Sequence, residues 1–148
     1  MVEYIKQAHS EQDTLVFPIV FLYRQHLELR LKCLIRDGHE LLDQPPDYPK
    51  SHELDALWKL CKSVLKKVEP AVEQQDLEAI DEAIAQFCEV DPTSQAFRYP
   101  TDRKGSISLP ASLRHVNLRN LADVMERVGN FFDSAAITIS VYLDFKRD

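Results

Sequence analysis

The stretch FLYRQHLELRLKCLI, residues 21–35, decides the fold that we predict for this chain. Apolar residues recur in and before it at steps of three and four, which places them on one stripe of an α-helix. The members of this stripe are Val16, Val20, Tyr23, Leu27, Leu31 and Leu34. We expect the stripe to be core and Glu28 to lie on another face, where it can pair with Arg24 and Lys32, each one helical turn away.

A second helix is predicted after a connection that contains three prolines. The first helix should end near Asp37 and Gly38, because glycine commonly follows a helix C-terminus. Ser51 is expected to cap the second helix, which should stop near Glu69 and Pro70 because a residue before proline disfavours the helical conformation. Its apolar stripe is Leu54, Leu57, Trp58, Cys61, Leu65 and Val68. We expect these two helices to pack antiparallel.

Two further helices are predicted in the second half of the chain. The third opens at residues 74–76, and the fourth begins near Asn117 and ends in a charged tail. Residues 91–117 between them are irregular and contain three prolines and a glycine. Within this segment, residues 102–105 suit a turn, and polar and apolar residues alternate over residues 106–109. This pattern predicts a small β-hairpin before the last helix.

The composition is that of one globular domain spanning residues 1–148, with 45% hydrophobic and 28% charged residues. Only 3 glycines are present, which favours long helices, and the four predicted helices indicate an all-α, up-down four-helix bundle. The net charge of -6 argues against nucleic-acid binding through bulk charge. Cys33, Cys61 and Cys88 lie in apolar helical settings and show no CxxC spacing, so we expect buried free thiols in the cytoplasm. No apolar run approaches the ~20 residues of a membrane span.

Three short motifs carry a resemblance to a known superfamily. Gln25, Glu28 and Lys32, then PKSHEL at residues 49–54, then RYP at residues 98–100 resemble the pattern of HEPN-superfamily domains. The resemblance implies a four-helix bundle, a homodimer and a bacterial toxin–antitoxin or phage-defence setting, with an antitoxin or nucleotidyltransferase as partner. It also suggests a polar furrow facing RNA or a nucleotide, and the binding candidates are Arg24, Glu28, Lys32, His52 and Arg98.

The resemblance implies that ribonucleases of this superfamily use an arginine and a histidine that are separated by four to six intervening residues. No arginine of this chain has a histidine at that distance. The first hypothesis is therefore a non-catalytic or divergent HEPN-like protein that acts by protein association. The alternative is a divergent, metal-independent endoribonuclease with a site around Arg98, Arg114 and His115. No metal or cofactor is expected, because the histidines form no i, i+4 pair and no phosphate-binding loop is present.

The last predicted helix has more apolar positions than one bundle face needs. They include Val124, Val128, Phe131, Phe132, Ala135, Ala136, Ile139 and Tyr142. Phe131 and Phe132 are adjacent and point about 100° apart, so we expect one in the core and the other at the surface. An exposed aromatic patch commonly marks an interface, and the sequence therefore predicts a homodimer built on the last helix.

Overall fold

The computed structural model describes residues 9–90 and 118–148. These residues form four α-helices and no strand, which confirms the all-α prediction for this part of the chain. The helices are α1 (His9–Leu41), α2 (Leu54–Val68), α3 (Gln74–Val90) and α4 (Leu118–Arg147). The predicted β-hairpin and the candidates Arg98, Arg114 and His115 lie outside the described residues.

The end of α1 differs from the prediction. The helix continues through Gly38 to Leu41, so Gly38 does not terminate it. Gly38 is buried, and a Cβ added there would overlap Cγ1 of Val64 and come within 4.0 Å of Cδ1 of Ile139. This glycine therefore serves the close approach of two other helices to α1, a role that a rule about helix ends does not detect.

Asp43, two residues after the last residue of α1, takes the position at which a glycine usually terminates a helix. Its φ of 58° is left-handed, a conformation that aspartate tolerates better than most residues. The Gln44 N–H donates to the His39 carbonyl at 2.8 Å, and the Asp43 N–H donates to the Glu40 carbonyl at 3.2 Å. These two bonds form a Schellman motif, which turns the chain back along α1.

The start of α2 also differs from the prediction, whereas its end agrees with it. Glu53 is the N-cap residue and makes no side-chain capping bond. Ser51 lies two residues earlier, and its hydroxyl accepts the Glu53 N–H at 3.0 Å. The helix ends at Val68, before Pro70, as predicted.

The predicted antiparallel packing of α1 and α2 is wrong, because the two helices run in the same direction. His52, just before α2, contacts Glu28, and Val64 within α2 lies against Gly38. The return segment, residues 42–53, makes this arrangement possible. At about 3.3 Å per residue, its twelve residues are long enough to lead back along α1.

The up-down order of the bundle is corrected in the same way. Arg30 of α1 pairs with Asp133, and the carbonyl of Leu41 accepts a bond from Lys146, so α4 is parallel to α1. A short connection, residues 69–73, joins α2 to α3, which makes these two helices antiparallel. Three helices therefore share one direction and α3 opposes them.

The core lies between the four helices. Most residues of the predicted stripes on α1 and α2 are buried, such as Leu27, Leu31, Leu57, Trp58 and Cys61, whereas Tyr23 and Val68 are only partly buried. Phe87 of α3 and Met125, Val128 and Phe132 of α4, also predicted as core, are buried. The indole of Trp58 packs between α2 and α4, 6.2 Å from the ring of Phe132 and 6.5 Å from that of Phe131. None of the helices described is both long enough and apolar enough to cross a membrane.

Candidate functional site

A polar cluster on α1 contains four of the five predicted binding residues. Arg24 and Glu28 are each 1% exposed, although their spacing suggested the outer face of a helix. They are buried because α2 and the end of the return segment pack on this side of α1. Lys32 and His52 complete the cluster, whereas Arg98 lies outside the described residues.

Glu28 is the centre of this cluster. Its Oε1 accepts hydrogen bonds from Lys32 Nζ at 2.8 Å and from the imidazole Nδ1 of His52 at 2.7 Å. Its Oε2 lies 3.4 Å from Nη1 of Arg24, whose Nη2 donates to the His52 carbonyl at 2.7 Å. These contacts confirm the predicted pairs of Glu28 with Arg24 and Lys32, and they add a hydrogen bond between His52 and the same carboxylate.

The charge of the Glu28 carboxylate is stabilised by its neighbours. Burial alone would raise its pKa, but the hydrogen bonds from Lys32 and His52 outweigh this effect and lower the pKa below its ordinary value. The group is therefore ionised at neutral pH, with both oxygens engaged by cationic or imidazole partners. Such a carboxylate is suited to holding the return segment on α1 and poorly suited to accepting a proton in a reaction.

Further contacts hold the return segment along α1. Nδ1 of His39 lies 3.0 Å from the carbonyl of Asp47, and Nζ of Lys32 lies 5.8 Å from the ring centre of Tyr48. A cavity of about 380 Å³ lies beside the segment, and its lining includes Tyr48 and Leu60. The segment thus lies against α1 from the end of that helix back to His52.

A second polar cluster, which the sequence reasoning missed, lies between α2 and α3. Asp81 accepts the indole N–H of Trp58 at 2.6 Å and a hydrogen bond from Lys62 at 2.6 Å. Burial raises the pKa of Asp81, but the bonds from Lys62 and Trp58 lower it by more, and the net pKa lies below its ordinary value. The signal available in the sequence was Trp58 itself, since a buried indole N–H usually has an acceptor.

A groove of about 550 Å³ lies between α3 and α4. Its apolar lining includes Ile80 of α3 and Val128 and Phe131 of α4. Phe132 is fully buried, which confirms that one of the two aromatics lies in the core, whereas Phe131 is half-buried and reaches the surface only in part, at this groove. Phe131 also contacts Trp58 of α2 edge to face, with the two ring centres 6.5 Å apart.

The exposed apolar residues of α4 lie on the opposite side of that helix from its core face. Ile137 is 64% exposed, Val141 43% and Phe145 76%. Their spacing of four residues places them on one outer strip. Leu22 and Leu29 form a similar exposed pair on α1. This strip is more exposed than the aromatic pair of Phe131 and Phe132, on which the sequence-based prediction of a dimer rested.

The described residues show no other constellation typical of catalysis. Within residues 9–90 and 118–148, no group of three or more His, Cys, Asp or Glu side chains could hold a metal ion. Burial raises the pKa of the Cys61 thiol to about 12, which makes this cysteine a poor nucleophile. Comparisons of the chain with protein-family models, curated proteins and solved structures found no match.

Proposed function

We propose that this chain is a non-catalytic, HEPN-like cytoplasmic protein that acts by protein association and forms a homodimer through α4. The resemblance of its three motifs to HEPN domains supports the class, the tendency to dimerise and a bacterial toxin–antitoxin or phage-defence setting. The structural observation that carries the proposal is the outer strip of Ile137, Val141 and Phe145.

The outer strip supports association for a physical reason. Burial of apolar surface stabilises a complex by roughly 25 cal/mol per Å². Covering these three exposed apolar side chains with a partner would therefore contribute favourably to the free energy of binding. A two-fold axis allows one such strip to meet its own copy, which is the commonest way to form a dimer. Contiguous exposed apolar residues of this kind commonly mark interaction surfaces.

The polar cluster on α1 supports a structural role over a catalytic one. Glu28 and Arg24 are buried and contact each other, and both also bond to His52 of the return segment. A substrate would have to displace these contacts to reach the carboxylate. This arrangement favours an interaction protein over the alternative ribonuclease, whose candidates Arg98, Arg114 and His115 lie outside the described residues.

The experiment that tests the proposed dimer is light scattering at micromolar concentration. The wild-type chain should have about twice the 17.1 kDa mass of the monomer. Val141→Glu should give a monomer, because burying one unpaired charge at an interface costs about 2 to 5 kcal/mol. Ser140→Glu adds the same charge at the exposed neighbouring position and should remain dimeric. A monomeric wild-type chain would contradict the dimer.

Incubation of the purified protein with labelled RNA in the absence of metal separates the two functions. We expect no cleavage above background, because the arginine–histidine spacing of the superfamily nucleases is missing. Cleavage that His115→Ala or Arg98→Ala abolishes would establish the ribonuclease instead.

A further inference from the structure

The groove between α3 and α4 has the shape of a helix-binding site. Ile80, Val128 and Phe131 give it an apolar lining, and Ala79 and Ala83 leave space on the α3 side. The α3 residues that line the groove run from 75 to 86, which at 1.5 Å per residue corresponds to a groove edge of about 17 Å. A groove of this length with small side chains along one edge allows another helix to lie close to the bundle.

The charges along the groove differ between its two edges. α3 contains five acidic residues and no basic one, and Asp76 and Glu82 line the groove. The α4 edge contributes Arg127, Asn130 and Ser134. An occupant that lies along α3 therefore meets a negative edge, and positive side chains on that side of the occupant complement it.

We propose that this groove binds an amphipathic helix of a partner protein, with basic residues along the edge that lies on α3. The inference rests on the proposed function as an association protein and names the chemistry of the second partner. Helix-in-groove binding uses an apolar floor for anchors at i, i+3, i+4 and i+7 and polar rims for orientation, which are the features present here. The outer strip around Val141 lies elsewhere on α4, so both surfaces are available at once.

The probe is a synthetic helical peptide of about 18 leucine and lysine residues, with leucines at i, i+3, i+4 and i+7 flanked by lysines. Its fluorescently labelled form is titrated with the full-length protein, and binding is measured as anisotropy. We expect saturable binding that weakens as salt is raised, because the charged rim is solvent-exposed. A matched peptide with glutamate in place of lysine should bind at least about tenfold more weakly. Equal binding of the two peptides, or none by either, would overturn the proposal.

Two pairs of variants locate the bound peptide. Glu82→Lys reverses a charge that lines the groove and should weaken binding about fivefold, whereas Glu78→Lys, one turn away and outside the lining, should change it less than about twofold. Ala79→Trp fills the groove and should abolish binding, and Ala85→Trp on the same helix should not. Equal effects within each pair would show that the peptide binds elsewhere.

The mass of the protein distinguishes this proposal from the proposed dimer. Loss of peptide binding in Ala79→Trp with an unchanged dimer shows that the two surfaces act separately. If the wild-type chain is dimeric but binds no peptide, the groove proposal is wrong and the proposed dimer stands. If the wild-type chain is monomeric but binds the lysine peptide, the proposed dimer is wrong and the groove proposal stands.

Discussion

At the scale of single residues, Glu28 is the most consequential polar side chain that the structure describes. It is buried and joins Arg24, Lys32 and His52 through its two oxygens. Removing one partner of a buried ion pair typically costs about 3 to 5 kcal/mol, because the remaining charges stay buried without compensation. Glu28→Gln should therefore lower the free energy of unfolding, measured in urea, by about 3 kcal/mol.

The dependence of stability on pH tests the same residue independently. The pKa of Glu28 in the folded protein lies below its ordinary value of 4.5, so the contribution of this carboxylate to stability is fully present above that pH. As the pH falls through the folded-state pKa, this contribution is lost. The decrease in unfolding free energy between about pH 5 and pH 3 should be shallower in Glu28→Gln than in the wild type. Glu126→Gln, at an exposed position on α4, should change stability by less than about 0.5 kcal/mol.

Identical slopes in the wild type and Glu28→Gln would contradict this assignment. It would mean that the carboxylate is not held in its ionised form by Lys32 and His52. The control at Glu126 separates this effect from the general loss of one negative charge, because both variants change the net charge by the same amount.

At the scale of elements, the packing of α1 against α2 depends on Gly38. A Cβ at this position would overlap Cγ1 of Val64, whose branched side chain has little freedom to move within a helix. Gly38→Ala should lower the free energy of unfolding by about 1 to 3 kcal/mol, despite the higher helix propensity of alanine. Combining Gly38→Ala with Val64→Ala should cost less than the sum of the two single changes, which a double-mutant cycle in urea measures.

Gly129 provides the matched control for this prediction. It lies within α4, and a Cβ added there has no atom within 4 Å. Gly129→Ala should therefore stabilise the protein by about 0.5 to 1 kcal/mol through helix propensity alone. If Gly38→Ala stabilised the protein by a similar amount, α1 and α2 would not approach each other as closely as the structure indicates.

The sequence predicted the local features of these elements well. The stripe around Leu27 and Leu31 and the i, i+4 pairs of Glu28 follow from helical periodicity alone, and the structure has both. Gly38 was misread because the rule for helix ends is local, whereas its actual role depends on Val64, 26 residues further along the chain. The burial of Glu28 was missed for the same reason, since the return segment that covers it is distant in sequence.

At the scale of the whole molecule, the direction of α2 is the largest feature that the sequence did not predict. Hydrophobic periodicity identifies a helix and its buried face, but α2 buries the same stripe whether it runs parallel or antiparallel to α1. The outcome depends on the path of the return segment, which is fixed by Asp43 at one end and by His52 at the other. Only contacts between distant residues, such as that between His52 and Glu28, contain this information.

Distances between spin labels test the parallel arrangement directly. One label replaces Glu40 near the end of α1, and the second replaces either Lys67 or Asp55 at opposite ends of α2. Lys67 and Asp55 are separated by about 18 Å along the helix axis. In the parallel arrangement the distance from residue 40 to residue 67 should be shorter than that to residue 55 by about 10 Å.

The background for this measurement carries Cys33→Ser and Cys88→Ser, because Cys33 is exposed and Cys88 is only half-buried, which corrects the prediction that all three thiols are buried. Cys61 stays in place. Its thiol is fully buried and has a pKa of about 12, so it should not react with the label. Dilution with unlabelled protein removes distances between copies in a dimer. The reverse order of the two distances would show that α1 and α2 are antiparallel, as in an up-down bundle. His52 would then lie near the opposite end of α1 and could not cover Glu28.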